Sequence, residues 1–104
     1  MEATGIMGLP PFLTALPDGK VVCVYGRRDR EPGFGEFACV SDDGGVTWDT
    51  ANEICLARSH GIDLGYPSTA VLPDGTLVTV YYQQRIPGDR PCLMATKWRL
   101  RPGF

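Results

Sequence analysis

The stretch Ser41-Asp42-Asp43-Gly44-Gly45-Val46-Thr47-Trp48 lies between two predicted strands, where the chain has to turn back on itself. Asp43 and Ser41 carry short polar side chains that bond backbone N–H groups inside a tight loop. Gly45 supplies a backbone conformation that is closed to residues with a Cβ, and the large ring of Trp48 can anchor the loop. The residues to which this pattern assigns a structural role are Ser41, Asp43, Gly45, Thr47 and Trp48.

On both sides of this loop the sequence repeats itself. Leu16-Pro17-Asp18-Gly19 recurs as Leu72-Pro73-Asp74-Gly75, a shift of 56 positions. Each copy predicts a hairpin turn, because Pro presets φ, Asp bonds its own backbone and Gly accepts a positive φ. The flanking stretches are rich in Val, Thr and Tyr, which favour strands, and no stretch has the 3.6-residue apolar period of a helix. The predicted strands are residues 11–16, 20–26, 36–41, 53–57, 67–72, 76–82 and 92–98.

A repeat of roughly 40–60 residues with several short antiparallel strands is typical of a β-propeller blade. The fold prediction is therefore all-β, with antiparallel four-stranded blades at about residues 9–57 and 65–100 of one partial propeller covering 1–104. A closed ring takes about four to eight blades, so two blades alone leave sheet edges and flat faces uncovered. We therefore expect an incomplete, two-blade fragment that needs either further blades or other copies of the chain.

Composition and charge exclude several classes of function. The formal net charge is −2, with 10 basic and 12 acidic residues, which provides no electrostatic field for nucleic acid. No apolar run approaches the roughly 18–20 residues that span a bilayer. The four cysteines have no C-x-x-C spacing and the single histidine is His60, so neither a metal site nor a cofactor is predicted. Buried free thiols are the simplest interpretation of the cysteines, and a disulfide stays open.

At this point the chain resembles a known family. The eight-residue loop 41–48, the repeated L-P-D-G hairpins, the segment 65–77 (GYPSTAVLPDGTL) and the ending 95–99 (ATKWR) look like the C-terminal blades of sialidases, or neuraminidases. In that family the loop is known as the Asp-box or BNR repeat. The resemblance covers nearly all of this chain and about a third of a complete six-bladed enzyme. The Asp-box also occurs in propellers that are not sialidases, and it usually lies away from the active site.

The resemblance implies a glycoside hydrolase that releases terminal sialic acid with retention of configuration, through a Tyr nucleophile. The matching position is Tyr66, followed by the Asp-Gly turn at 74–75, although Pro67 stands where the best-studied enzymes have Ser. The family also clamps the substrate carboxylate with arginines, because a planar fork of N–H donors suits a carboxylate. Arg28 is the first candidate for this clamp and Arg30 the second.

Simpler interpretations stay open beside these. Tyr66 could be a tyrosine that packs at a strand start, and the run 27–31 a solvated cluster of charges. Phe37 stands where relatives often carry a basic residue, and Glu53 fits the partner base only by residue type. The alternative function is a non-catalytic carbohydrate-binding or scaffold propeller, assembled from several two-blade chains. The expected partner is a sialylated or related glycan, and secretion or a cell-envelope location is plausible for the parent protein.

Overall fold

A computed structural model describes residues 1–29 and 33–101. Its first sheet has four antiparallel strands in the order β1-β2-β3-β4. The turn between the first two strands is the first L-P-D-G copy, in which Asp18 accepts a hydrogen bond from the Lys20 amide at 3.0 Å and Gly19 has φ +93°. A single 3₁₀ turn at Thr50–Asn52 precedes the fourth strand. The strands are β1 (Pro11–Ala15), β2 (Val21–Arg27), β3 (Gly35–Ser41) and β4 (Ile54–Arg58).

The second sheet has three antiparallel strands in the described residues, in the order β5-β6-β7. Its first turn is the second L-P-D-G copy, and Asp74 accepts a hydrogen bond from the Thr76 amide at 3.0 Å, as Asp18 does in the first copy. The two copies therefore make the same kind of turn. The strands are β5 (Gly65–Val71), β6 (Leu77–Gln84) and β7 (Pro91–Trp98).

The prediction of an all-β chain with almost no helix is confirmed, and seven strands lie close to the predicted ones. The fifth strand begins at Gly65 rather than at 67, because an irregularity between Gly65 and Ser68 lets the pairing resume nearer the strand start. The first sheet has the four strands expected of a blade, whereas the second has three in the part described. No helix among the described residues is long and apolar enough to cross a membrane.

The core lies between the two sheets and on the far side of the first sheet. The surface of the first sheet that faces the second, here called the front face, is Val22, Val24, Ala38 and Val40, and Trp98 and Leu100 pack against it. The opposite surface, the back face, is Cys23, Tyr25, Phe37 and Cys39, covered in part by Ile6 and Trp48. The first sheet is thus apolar on both faces, and Cys23 and Cys39 are buried free thiols.

The second sheet has one covered face. Burial alternates strictly along β6, since residues 77, 79, 81 and 83 are buried and the residues between them are only half-buried. The inner face, which looks toward the first sheet, comprises Thr79, Tyr81, Thr96 and Trp98. The outer face comprises Val78, Val80, Tyr82, Leu93, Ala95 and Lys97.

Candidate functional site

Tyr66, the predicted nucleophile, has an unusual backbone. Its φ is +49°, and it is the one non-glycine residue with positive φ in the described part of the chain. It follows Gly65, whose φ is +135°, at the irregular start of β5. A left-handed conformation costs a residue with a Cβ about 1–2 kcal/mol, so the surrounding structure has to hold it in place. The side chain is 73% exposed and therefore accessible to a ligand.

Arg28 holds the backbone that leads into Tyr66. Its guanidinium donates from Nε to the carbonyl of Ile62 at 3.1 Å, from Nη1 to the carbonyl of Leu9 at 3.1 Å, and from Nη2 to the carbonyl of Leu64. A Cβ added to Gly65 would lie 2.8 Å from Nη2, so only glycine leaves room for this contact. Arg28 therefore ties the segment before β1 to the segment before β5.

A cleft of about 560 Å³ lies beside these residues. Tyr66, Tyr82, Arg28 and Asp29 line it together with the segment 7–10. The rings of Tyr66 and Tyr82 are stacked, with centroids 5.8 Å apart and planes inclined by 27°. Ligand sites in proteins commonly have this volume and combine aromatic surface with a few polar groups. The structure thus brings Tyr66 and Arg28 to one cleft, whereas Arg30 lies outside the described residues.

Glu53 does not lie in this cleft. Its carboxylate accepts hydrogen bonds from Arg27 Nη1 at 2.7 Å and from the Tyr25 hydroxyl, and the same hydroxyl is 3.1 Å from Cys39 Sγ. Burial, then the bonds to Cys39 and Glu53, raise the pKa of the Tyr25 phenol, which keeps it neutral. Glu53 therefore belongs to a hydrogen-bond network on the back face of the first sheet. Phe37 lies there too, with the guanidinium carbons of Arg27 and Arg58 each 5.7 Å from its ring centroid.

The loop 41–48 is held by Asp43. Its Oδ1 accepts hydrogen bonds from the Ser41 hydroxyl at 2.8 Å and from the amides of Val46 and Thr47 at 3.1 and 2.9 Å. The hydroxyl and amide of Thr47, together with the Ser41 hydroxyl, lower the pKa of Asp43 to about 2. The Ser41 hydroxyl also accepts from the amide of Gly45, whose φ is +93°.

The loop lies far from the cleft. Val21 pairs with Ser41 at one end of β2 and β3, and Arg27 pairs with Gly35 at the other end. Arg28 follows Arg27, so a strand length of roughly 20 Å separates it from the loop. Trp48 packs on the back face, which joins the loop to the core. The loop therefore stabilises one end of the first sheet, and none of its residues lines the cleft.

Sequence reasoning missed two further residues near the cleft. Tyr82 lies in β6, follows the buried Tyr81 and points to the opposite face, where its ring stacks on Tyr66. Glu36 is fully buried on the side of β3 that carries Ala38, and neither of its carboxylate oxygens has a hydrogen-bond partner among the described residues. Burial raises the pKa of Glu36 to about 7, and the positive charge of Arg28 partly offsets this rise. Successive side chains of a strand point to opposite faces, so the sequence places Tyr82 on the face opposite Tyr81 and Glu36 on the same face as Ala38.

Comparisons with known proteins add no relative. No family model matches the sequence, no curated protein matches it, and no solved structure matches the fold. Among the described residues, no group of three or more His, Cys, Asp or Glu side chains is placed to hold a metal ion. The assignment of the candidate site is therefore supported by the geometry of the cleft alone.

Proposed function

We propose that this chain is part of a sialidase-like glycoside hydrolase of propeller architecture, which releases terminal sialic acid from glycoconjugates. The observation that carries the proposal is the position of Tyr66. It is exposed, it is held in a left-handed conformation, and it lines a cleft with Arg28. Strained backbone and an exposed side chain that can react are features that cluster at functional sites.

In the proposed reaction the phenol oxygen of Tyr66 attacks the anomeric carbon as the bond to the leaving group breaks. A carboxylate base takes the phenol proton, a carboxylic acid protonates the leaving group, and water then hydrolyses the tyrosyl intermediate. A neutral phenol suits this substrate, because a carboxylate nucleophile would repel the carboxylate of sialic acid. Asp29 is the acidic residue that lines the described cleft, and it is already paired with Arg27. The base, the acid and further arginines would come from other blades.

Arg28 contributes to this proposal in a limited way. An arginine has five N–H groups, and three of those of Arg28 are directed at backbone carbonyls. Within residues 1–29 and 33–101, one N–H on each terminal nitrogen is left for a substrate carboxylate, while the other bonds keep the guanidinium in place. Arg28 would therefore act as a fixed member of a clamp whose other arginines lie elsewhere.

The test uses the complete gene product that contains this chain and a fluorogenic sialoside. Tyr66→Phe removes the nucleophilic oxygen and keeps the ring, so kcat should fall on the order of 10³-fold or more. Tyr82→Phe is the matched control, since it removes a hydroxyl from the stacked neighbour, and its kcat should stay within a few-fold of the wild type. Equal turnover by the wild type and Tyr66→Phe would refute the nucleophile assignment.

A non-catalytic carbohydrate-binding propeller is the second candidate, favoured by the stacked pair Tyr66 and Tyr82. Exposed aromatic faces beside a fixed guanidinium suit the binding of a sugar ring without any reaction. Titration of the chain with sialyllactose, followed by NMR of the tyrosine ring protons, separates the two functions. A binding protein should keep its affinity in Tyr66→Phe, lose it in Tyr82→Ala, and show no turnover in the complete gene product.

A further inference from the structure

Two polar side chains are buried between the sheets with oxygens that no donor reaches. Glu36 is fully buried, and both of its carboxylate oxygens lack a hydrogen-bond partner within the described residues. Gln83 is 4% exposed, and its Oε1 also lacks a partner there, although its Nε2 donates to the carbonyl of Arg58 at 3.0 Å. Buried polar groups in native proteins are nearly always hydrogen-bonded, so these acceptor oxygens require a donor.

The packing of β4 against the second sheet brings the two side chains to the same place. The carbonyls of Leu56 and Arg58 both accept hydrogen bonds from the second sheet, the latter from Gln83. Ala57 lies between them on β4 and pairs with Glu36. The side chain of Glu36 belongs to the front face, which looks toward the second sheet. Its carboxyl group therefore faces the part of the second sheet that carries Gln83.

The charged groups around Glu36 differ in what they can offer it. Arg28 comes two residues after the β2 partner of Glu36, so it is a diagonal neighbour on the same face, and its field reaches the carboxyl group. On β4 the guanidinium of Arg58 lies over the back face. From β6 the Tyr81 hydroxyl is bonded to a threonine of β7 at 2.7 Å. Leu64 lies over the β2 partner and adds an apolar side chain. Among the described residues, Arg28 is thus the opposite charge that an ionised Glu36 meets.

We propose that Glu36 is protonated when the two sheets are packed together, and that its hydroxyl donates a hydrogen bond to Oε1 of Gln83. This bond is here called the latch. One proton then satisfies an oxygen on each side chain, which an ionised Glu36 cannot do, because a carboxylate and an amide oxygen are both acceptors. When the proton leaves to water, two acceptors face each other, so the latch opens and the carboxylate moves toward Arg28.

The latch should open near neutral pH. Burial raises the pKa of Glu36 to about 7, so the closed latch predominates below that pH and is lost above it. The change reaches the cleft through Arg28, whose guanidinium holds the carbonyls of Ile62 and Leu64 just before Tyr66. An ionised Glu36 attracts the same guanidinium, so the backbone that leads into β5 should loosen as pH rises.

The first test is side-chain NMR of the chain from about pH 5 to 9. The carboxyl carbon of Glu36 should titrate with a midpoint near 7, and the side-chain amide protons of Gln83 should shift with the same midpoint. Gln84 is the matched control, because it lies on the opposite side of β6 and its amide donates to the carbonyl of Asp89 at 2.8 Å. Its amide protons should not follow that midpoint. A Glu36 carboxyl that titrates near 4.5, or a Gln83 amide that does not respond, overturns the proposal.

The second test is hydrogen exchange of the amides of residues 64–66. In the wild type their protection factors should fall about tenfold between about pH 6 and 8, as the latch opens. Glu36→Gln places an N–H donor beside Gln83 at every pH, so its protection factors should stay constant. Glu2→Gln, at an exposed position, is the control and should keep the wild-type fall. Constant protection in the wild type overturns the proposal, and so does a Glu36→Gln variant with the wild-type pH dependence. If Glu36→Gln does not fold, the wild-type titration decides.

Discussion

The front face of the first sheet and the outer face of the second share two valines and one alanine at equivalent positions, while Lys97 stands on the outer face where Val40 stands on the front face, and only the front face is covered. Val24 is fully buried, whereas its counterpart Val80 is half-buried. The residue pattern therefore determines which side chains share a face, and the neighbouring element determines how much that face stabilises the fold. Full burial of a valine contributes about 1.5–3 kcal/mol relative to exposure, so the two faces should differ sharply in their response to substitution.

A charge placed on each face gives the largest expected difference. Val24→Asp puts a carboxylate between the sheets without a partner, and it should lower the free energy of unfolding by about 4 kcal/mol or unfold the chain. Val80→Asp leaves its carboxylate in contact with water and should cost about 1 kcal/mol at concentrations where the chain is monomeric. Urea titrations followed by circular dichroism measure both. Equal losses at the two positions would show that the second sheet does not cover the front face.

The position on the outer face that corresponds to Glu36 is Leu93. The acid is fully buried and the leucine is 77% exposed, which is the reverse of what their polarities favour. Burial raises the pKa of Glu36 from an ordinary 4.5 to about 7. Between these values the folded state binds more protons at Glu36 than the unfolded state, so the contribution of Glu36 to stability is most favourable below pH 4.5 and falls as pH rises toward 7. Between pH 4.5 and 7 this group should lower the free energy of unfolding by about 3 kcal/mol.

Glu36→Gln should remove this slope, which makes the variant more stable than the wild type above pH 7 and similar to it at pH 4. The urea midpoint measured at several pH values is the readout. Glu2→Gln, at an exposed position, is the control and should keep the wild-type slope. If the Glu36→Gln and wild-type midpoints run parallel across this range, Glu36 is not a buried acid.

The two kinds of loop offer a smaller contrast. Asp43 accepts from three backbone or side-chain donors through one oxygen, whereas Asp74 accepts one amide bond in its hairpin turn and forms an exposed ion pair with Arg99 at 3.2 Å. Asp43→Ala should lower the Tm by several degrees, and Asp74→Ala by less. The pKa of Asp43 is lowered to about 2, so its contribution is present at neutral pH and is lost as pH falls from about 4 through 2. Thermal melts at neutral and acid pH check both statements, and equal Tm changes in the two variants would contradict them.

The smallest expected effect is the difference in stability between glycine and alanine variants at Tyr66 and at Tyr82. Glycine should be the more stable replacement at Tyr66 and alanine the more stable one at Tyr82. At Tyr66 the positive φ favours glycine, so Tyr66→Gly should be more stable than Tyr66→Ala by about 1 kcal/mol. At Tyr82, inside β6, glycine weakens the strand, and Tyr82→Gly should be less stable than Tyr82→Ala by about 0.5–1 kcal/mol. Chemical denaturation of the four variants provides the comparison. The same rank at both positions would indicate that Tyr66 carries no backbone strain.

The sequence alone predicted the parts of the fold that depend on neighbours along the chain. The L-P-D-G turns, the strands beside them and the bonding of Asp43 follow from short-range chemistry and alternation. Arg28 shows what could not be predicted, since its partners Leu9, Ile62 and Leu64 come from distant positions that meet only after the sheets pack. The catalytic roles of Tyr66 and Arg28 remain predictions, because they rest on a family resemblance that no comparison tests.

The hydrogen bonds of Arg28 have a consequence for motion at the cleft. One guanidinium holds the carbonyls of Leu9 and Leu64, so the segments before β1 and β5 cannot open independently without breaking one of these hydrogen bonds. Local opening in proteins occurs in cooperative units, and amides that belong to one unit exchange with solvent through one common reaction. The amides near residues 9 and 64–66 should therefore share one opening rate, and the cleft walls should loosen together.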